Sequence, residues 1–202
     1  MKLVWSAVIR PKEPNACILT SAEKLDHIGY FVRSTAREAF VFAGRTLANQ
    51  KTPPGGRVSV NEANHICNVY ADPAGRWCAV CFVTEDYPQR VAFDYLSKLS
   101  DAFLKATGGR VDDSADNRAP VGFAAEHSAL LGSYQNANEV DKLTKIQNEL
   151  EQTKVVMHRT IEEALQRGVK IDGLVAKSQD LSGSSKMFFK TAKKQNQCCT
   201  YM

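Results

Sequence analysis

The sequence closes with Cys198-Cys199-Thr200-Tyr201-Met202. Cys199 and the three residues after it fit C-a-a-X with Met at X, a pattern that favours farnesyl transfer to the cysteine thiolate. Cys198, beside it, is placed for a second lipid, palmitoyl or another prenyl group. Lys186, Lys190, Lys193 and Lys194 lie just upstream, and no acidic residue occurs after Ser184. Such a basic stretch is drawn to an anionic cytoplasmic leaflet by about 1 kcal/mol per residue. Each buried methylene adds about 0.8 kcal/mol, so one chain anchors reversibly and two anchor firmly. The expectation is a protein that needs a prenyltransferase as partner, cycles between cytosol and membrane, and carries covalent lipids at Cys199 and Cys198 but no cofactor or metal.

Four further cysteines are Cys17, Cys67, Cys78 and Cys81. Cys78 and Cys81 form a C-x-x-C that could serve thiol redox chemistry or zinc. They fall, however, inside Arg76-Trp-Cys-Ala-Val-Cys-Phe-Val-Thr84, which has the composition of a strand. Residues three apart in a strand point to opposite faces. Buried strand cysteines are the reading this favours. A disulfide framework is not expected without a secretory signal, and Met1-Lys2-Leu3-Val4 runs into Arg10 and Lys12 with no apolar signal core.

Arg167 offers a different kind of chemistry. Steps of three and four pass through Leu143, Ile146, Leu150, Thr153, Met157, Thr160, Ala164, Arg167, Ile171, Leu174, Ser178, Leu181, Ser185, Phe188, Ala192 and Gln195. That 3.5-residue period is the one that makes helices supercoil. A guanidinium inside such a seam costs several kcal/mol unless acceptors surround it, so partner helices must bring oxygen atoms to that level. The alternative is an arginine on the wet edge of an amphipathic helix. Gly168, Gly173 and Gly183 argue against it, each weakening a lone helix by about 1 kcal/mol. Thr153, Thr160, Ser178 and Ser185 bury little apolar surface. The segment is therefore expected to be disordered alone and helical in a multi-helix bundle. Ser178, Ser182 and Ser185 are candidates for phosphorylation, or simply solvated.

These residues need elements to carry them. With 202 residues the chain allows one compact domain plus an extended element. A net charge of +4 is too mild to suggest a nucleic-acid partner. The longest apolar stretch, Trp77 to Val83, is far short of the ~18 residues that span a bilayer. Strands are expected at Lys2–Arg10, Ala16–Thr20, Arg57–Asn61, Ile66–Ala71 and Trp77–Val83, with helices at Phe31–Gln50, from Pro88 to about Ala106, and at Glu126–Tyr134. Arg110 to Pro120 is polar and reads as an exposed loop. The order implies an α+β domain with an antiparallel sheet between helices. No phosphate-binding glycine motif is present. In the first helix Ala36, Phe40, Ala43 and Leu47 share one face. Phe42 lies about 200° from Phe40, so it marks a contact surface or is half-covered by a loop.

Met1-Lys2-Leu3, Glu85-Asp-Tyr-Pro-Gln-Arg-Val-Ala-Phe93, Leu165-Gln-Arg-Gly168 and Lys190-Thr-Ala-Lys-Lys-Gln-Asn-Gln-Cys-Cys199 together resemble the longin-domain R-SNAREs, most closely the lipid-anchored kind without a transmembrane helix. The resemblance implies a longin (profilin-like) domain over 1–135 with a five-stranded antiparallel sheet, an R-SNARE coiled-coil helix over 138–197 and a lipidated tail over 198–202. It implies that Arg167 is the zero-layer arginine, met by glutamines from Qa, Qb and Qc SNARE helices, and that no enzyme activity is involved. It also implies a closed cytosolic state, in which the longin domain holds the SNARE segment and covers the lipid with Phe42 taking part. Membrane fusion in ER–Golgi, endosomal or vacuolar-type traffic would follow. The competing reading is a prenylated coiled-coil adaptor that docks on its own longin domain or on a partner outside the SNAREs.

Overall fold

The computed structural model describes residues 1–12, 15–50, 52–62, 65–111, 120, 122–143, 154–165, 168–187 and 189. Strands β1 (Leu3–Arg10), β2 (Cys17–Glu23), β3 (Arg57–Glu62), β4 (His65–Ala71) and β5 (Cys78–Thr84) pair antiparallel. Helix α1 (Arg33–Ala48), preceded by a 3-10 turn at Tyr30–Val32, covers one face. Helices α2 (Gln89–Thr107) and α3 (Phe123–Ser133) cover the other, and α4 (Ala137–Leu143) follows. The antiparallel five of the expected α+β fold are all present.

A sixth strand, β6 (Val155–His158), comes from the heptad segment and adds to the edge, giving the order β2-β1-β5-β4-β3-β6. It runs parallel to β3 in the register Arg57↔Val155 to Val60↔His158. Val155 and Val156 are β-branched and fit a pleated edge better than a helix. The remaining described residues of the segment form α5 (Ile161–Ala164), α6 (Ile171–Lys177) and a helical turn at 183–187. In this lone chain the described residues 154–165 and 168–187 form short elements, not the single helix that the resemblance implies for the bundle. The breaks have local causes. Thr160 caps α5, its side chain accepting the Glu163 N–H, and Gly168 sits at φ +89°, a conformation that ends a helix and suits glycine.

Strand alternation divides the core. Ala79, Cys81 and Val83 face α2 and α3, while Cys78, Val80 and Phe82 face α1. The C-x-x-C is thus split across the sheet, and burial pushes the Cys78 thiol up to about 12 and that of Cys81 higher still. On the α2 side, Val91, Tyr95, Leu99 and Phe103 are buried, as their spacing predicts. Pro88 is the N-cap of α2 and Gly108 its left-handed C-cap. Helix α3 starts three residues before the expected Glu126, because Phe123 anchors its first turn in the core and Gly122 supplies φ +89°. Residues 112–119 of the expected loop lie outside the described residues.

His127 of α3 reaches the sheet with no exposed surface. Its Nε2 lies 2.8 Å from Ser6 Oγ and its Nδ1 3.1 Å from Thr20 Oγ1, and Tyr95 Oη closes the chain at 2.6 Å from Ser6 Oγ. The proximity of serine and histidine has no catalytic access here. Each buried polar atom of the network is answered by another, and burial lowers the imidazole to about 4.

Candidate functional site: a groove on the outer face of α1

Helix α1 presents two faces with different tasks. Phe40, Ala43 and Leu47 pack inward with Phe82, whose ring centroid is 4.7 Å from that of Phe40. Gly44 lets the helix approach β1 closely, since a Cβ there would meet the Trp5 ring at 3.2 Å. Glu38, Phe42 and Arg45 follow one another at steps of four and three, so they share the outer face.

That outer face receives the heptad segment. Phe42 is only 4% exposed, in a cluster with Val175 and Leu181. Phe189 meets its ring edge-on at a centroid distance of 5.4 Å, a favoured aromatic geometry. Ile171 and Leu174 fill the space between this cluster and the main core. Phe42 is thus a contact surface, and what covers it is the chain's own C-terminal segment.

A polar rim orients the segment. The Glu38 carboxylate accepts the Ser182 N–H at 2.8 Å and the Ser185 hydroxyl at 2.6 Å. The Ser185 bond, then the Ser182 bond, holds Glu38 below the usual carboxylate range. Ser185 is fully buried rather than solvated, while Ser178 Oγ accepts the Asp180 N–H. On the other side of Phe42, Arg45 pairs with Asp180 at 2.9 Å.

The seam residues divide unevenly. Ala164, Ile171, Leu174, Leu181 and Ser185 turn toward the domain, whereas Met157 is 71% exposed on β6. Leu143 ends α4. Ile146, Leu150, Arg167, Phe188, Ala192, Cys198 and Cys199 lie outside the described residues. Ile161, Leu165 and Val175 are buried without belonging to the 3.5-residue seam. Their signal was present as α-helical spacing from Leu165, but the longer heptad pattern masked it. Glu38 and Arg45 were legible in the same way, as polar residues one turn either side of Phe42.

The layout is that of a small α+β domain with its own heptad-patterned segment docked on it. A family model described as the regulated-SNARE-like longin domain matches residues 25–125, and a synaptobrevin model matches residues 142–201. VAMP-like protein YKT61 of Arabidopsis thaliana is 40% identical over the whole of both chains. The synaptobrevin homologs YKT6 of Candida glabrata and Saccharomyces cerevisiae are 40% and 37% identical, again over the full length of each. The chain belongs to the longin-domain R-SNARE family. SNAREs work by assembling helices with other SNAREs, and covalent catalysis plays no part in that class. Among the described residues no helix is long and apolar enough to cross a membrane.

Proposed function

We propose that this protein is an R-SNARE that drives fusion of intracellular membranes and alternates between a closed and an open form. In the closed form the heptad segment lies on α1 and β3. In the open form it leaves, becomes one helix and joins Qa, Qb and Qc helices in a parallel bundle. Arg167 enters the bundle core, where charge-assisted hydrogen bonds to partner glutamines offset its desolvation. Leu143, Ile146, Leu150, Met157, Ala164, Ile171, Leu174, Leu181, Phe188 and Ala192 supply the apolar layers.

One observation carries this reading. Ile171, Leu174 and Leu181, which the 3.5-residue period assigns to a bundle seam, are the residues that dock beside Phe42. The two uses exclude each other, so docking on α1 competes with bundle assembly. Farnesyl at Cys199, with palmitoyl or a second prenyl group at Cys198, attaches the open form to Golgi, endosomal or vacuolar-type membranes. The outer face of α1 is proposed to help cover the lipid in the cytosol.

The test is Phe42→Glu. The variant is expected to enlarge the hydrodynamic radius of the lipidated protein and to speed formation of an SDS-resistant, helix-rich complex with Q-SNARE helices. An unchanged radius with unchanged assembly rate refutes the closed–open cycle. The adaptor reading is favoured by the self-docking seen here, and it is separated by mixing the 138–197 segment with Q-SNARE helices. Persistent disorder in that mixture supports the adaptor.

A further inference from the structure

The 3-10 turn ahead of α1 consists of Tyr30, Phe31 and Val32, which are 76%, 93% and 55% exposed. Three consecutive apolar side chains thus leave the surface at one point, on a turn that is well held. The Val32 N–H donates to the Gly29 carbonyl at 3.0 Å, and the Ile28 N–H to that of Leu25 at 2.9 Å. Arg33 donates from Nε to the Ile28 carbonyl at 2.9 Å and from Nη2 to the Asp26 carbonyl at 3.2 Å. Tyr30 meets Phe31 edge-on at a centroid distance of 5.7 Å, and the Arg33 guanidinium lies 6.0 Å from the centre of the Tyr30 ring. Hydrogen bonds to the backbone, rather than apolar burial, therefore fix two aromatic rings in water.

We propose that this turn is a membrane contact, with Phe31 and Tyr30 entering the headgroup–acyl boundary of an anionic bilayer and Lys24 and Arg33 meeting its headgroups. Shape, chemistry and charge choose that occupant. A ring that is 93% exposed has no groove wall around it, so it suits a deformable partner that closes over it. Aromatic side chains favour the headgroup level, and a tyrosine there buries its ring while its hydroxyl stays wet. From Lys24 to Arg33 the chain carries two cations against the one Asp26 carboxylate. Lys24 is exposed, and the Arg33 donors go to neutral carbonyls that leave its charge in place. Such cations are attracted to an anionic surface, and the apolar area buried there adds to the binding. The exposures are those of the chain with its heptad segment on α1, so the contact needs neither the covalent lipids nor release of the segment. It goes beyond the SNARE cycle and stands apart from it.

The experiment mixes the full unlipidated chain with vesicles of phosphatidylcholine and phosphatidylserine, and with phosphatidylcholine alone. Phe31→Trp reports the contact, because Trp5 and Trp77 are each 1% exposed and an emission change on adding vesicles arises at position 31. The expected result is a blue shift, with quenching by brominated acyl chains. Phe31→Ser and Tyr30→Ser are each expected to weaken flotation with the serine-headgroup vesicles about fivefold, and to leave thermal unfolding unchanged because neither ring is in the core. Phosphatidylcholine alone is expected to bind more weakly, and Lys24→Glu to remove part of that difference. The proposal is overturned if the Phe31→Trp emission ignores vesicles. It is also overturned if flotation ignores both serine substitutions, which assigns the binding to the lysines upstream of Cys198. Serine substitutions that spare flotation but weaken assembly with Q-SNARE helices mark the turn as a protein contact and likewise refute it. The radius change of Phe42→Glu reads the closed–open cycle independently, so failure here leaves that cycle standing.

Discussion

Phe42 and Glu38 hold the segment by unlike means, and substitutions separate them. Phe42→Glu places a charge in an apolar cluster and is expected to shift docking by about 3 kcal/mol, enough to reverse the populations. Glu38→Gln removes only a charge-assisted acceptor and is expected to cost about 1 kcal/mol, read as faster amide exchange at Ser182 and Ser185. The sign of the pH dependence follows from its lowered pKa. Docking contributed by Glu38 is complete above the ordinary carboxylate range and is lost as pH falls through the lowered value. His127 acts on the domain itself. Its imidazole titrates near 4 in the fold against 6.5 free, so the unfolded chain binds more protons between those values. Acidification through that window is expected to remove about 3 kcal/mol of stability, and His127→Gln is expected to flatten that slope in denaturant titrations. No sequence pattern marked His127, because the hydroxyls that receive it come from β1 and β2, over a hundred residues away.

At the level of elements, the proposed cycle would turn on Gly168. The closed form needs a left-handed residue there, and a bundle helix needs α geometry. Gly168→Ala is expected to disfavour the docked form by about 1 kcal/mol and to favour the helix by a similar amount. Circular dichroism of the isolated full chain should therefore show more helix, accompanied by faster assembly with Q-SNARE helices. Gly44→Ala acts on the inner face of α1. Its new methyl would press on the Trp5 ring and is expected to lower the unfolding free energy by about 1–3 kcal/mol, without selectively freeing the segment. The strands of the main sheet were legible because alternation and turn residues are local signals. Strand β6 was not, since Met157 within Val155–His158 also belongs to the heptad seam, and the edge of β3, distant in sequence, decides between them.

Across the whole molecule, one stretch of chain has two possible places to bury its apolar residues. The N-terminal domain buries Ile161, Leu165, Val175 and Leu181. Partner helices would instead take the residues at 3.5-residue spacing. Since Ile171, Leu174 and Leu181 belong to both sets, the proposed cycle requires opening before assembly. Cys199→Ser is expected to leave the protein in the soluble fraction of cells, with the domain's thermal unfolding unchanged. Retention on membranes would remove the proposed anchor.

The residue order by itself determined a five-stranded domain sandwiched by helices, the outward placement of Phe42 and the separation of Cys78 from Cys81, because each follows from periodicity within a few residues. It also specified a seam with Arg167 at its centre. Only the tertiary structure decided what that segment does in the lone chain. Its valines find the free edge of β3, its leucines find Phe42, and Glu38 finds two hydroxyl- and amide-bearing serines. Those choices rest on contacts between residues about a hundred positions apart or more, where local propensity is neutral and the available partner surface determines the outcome.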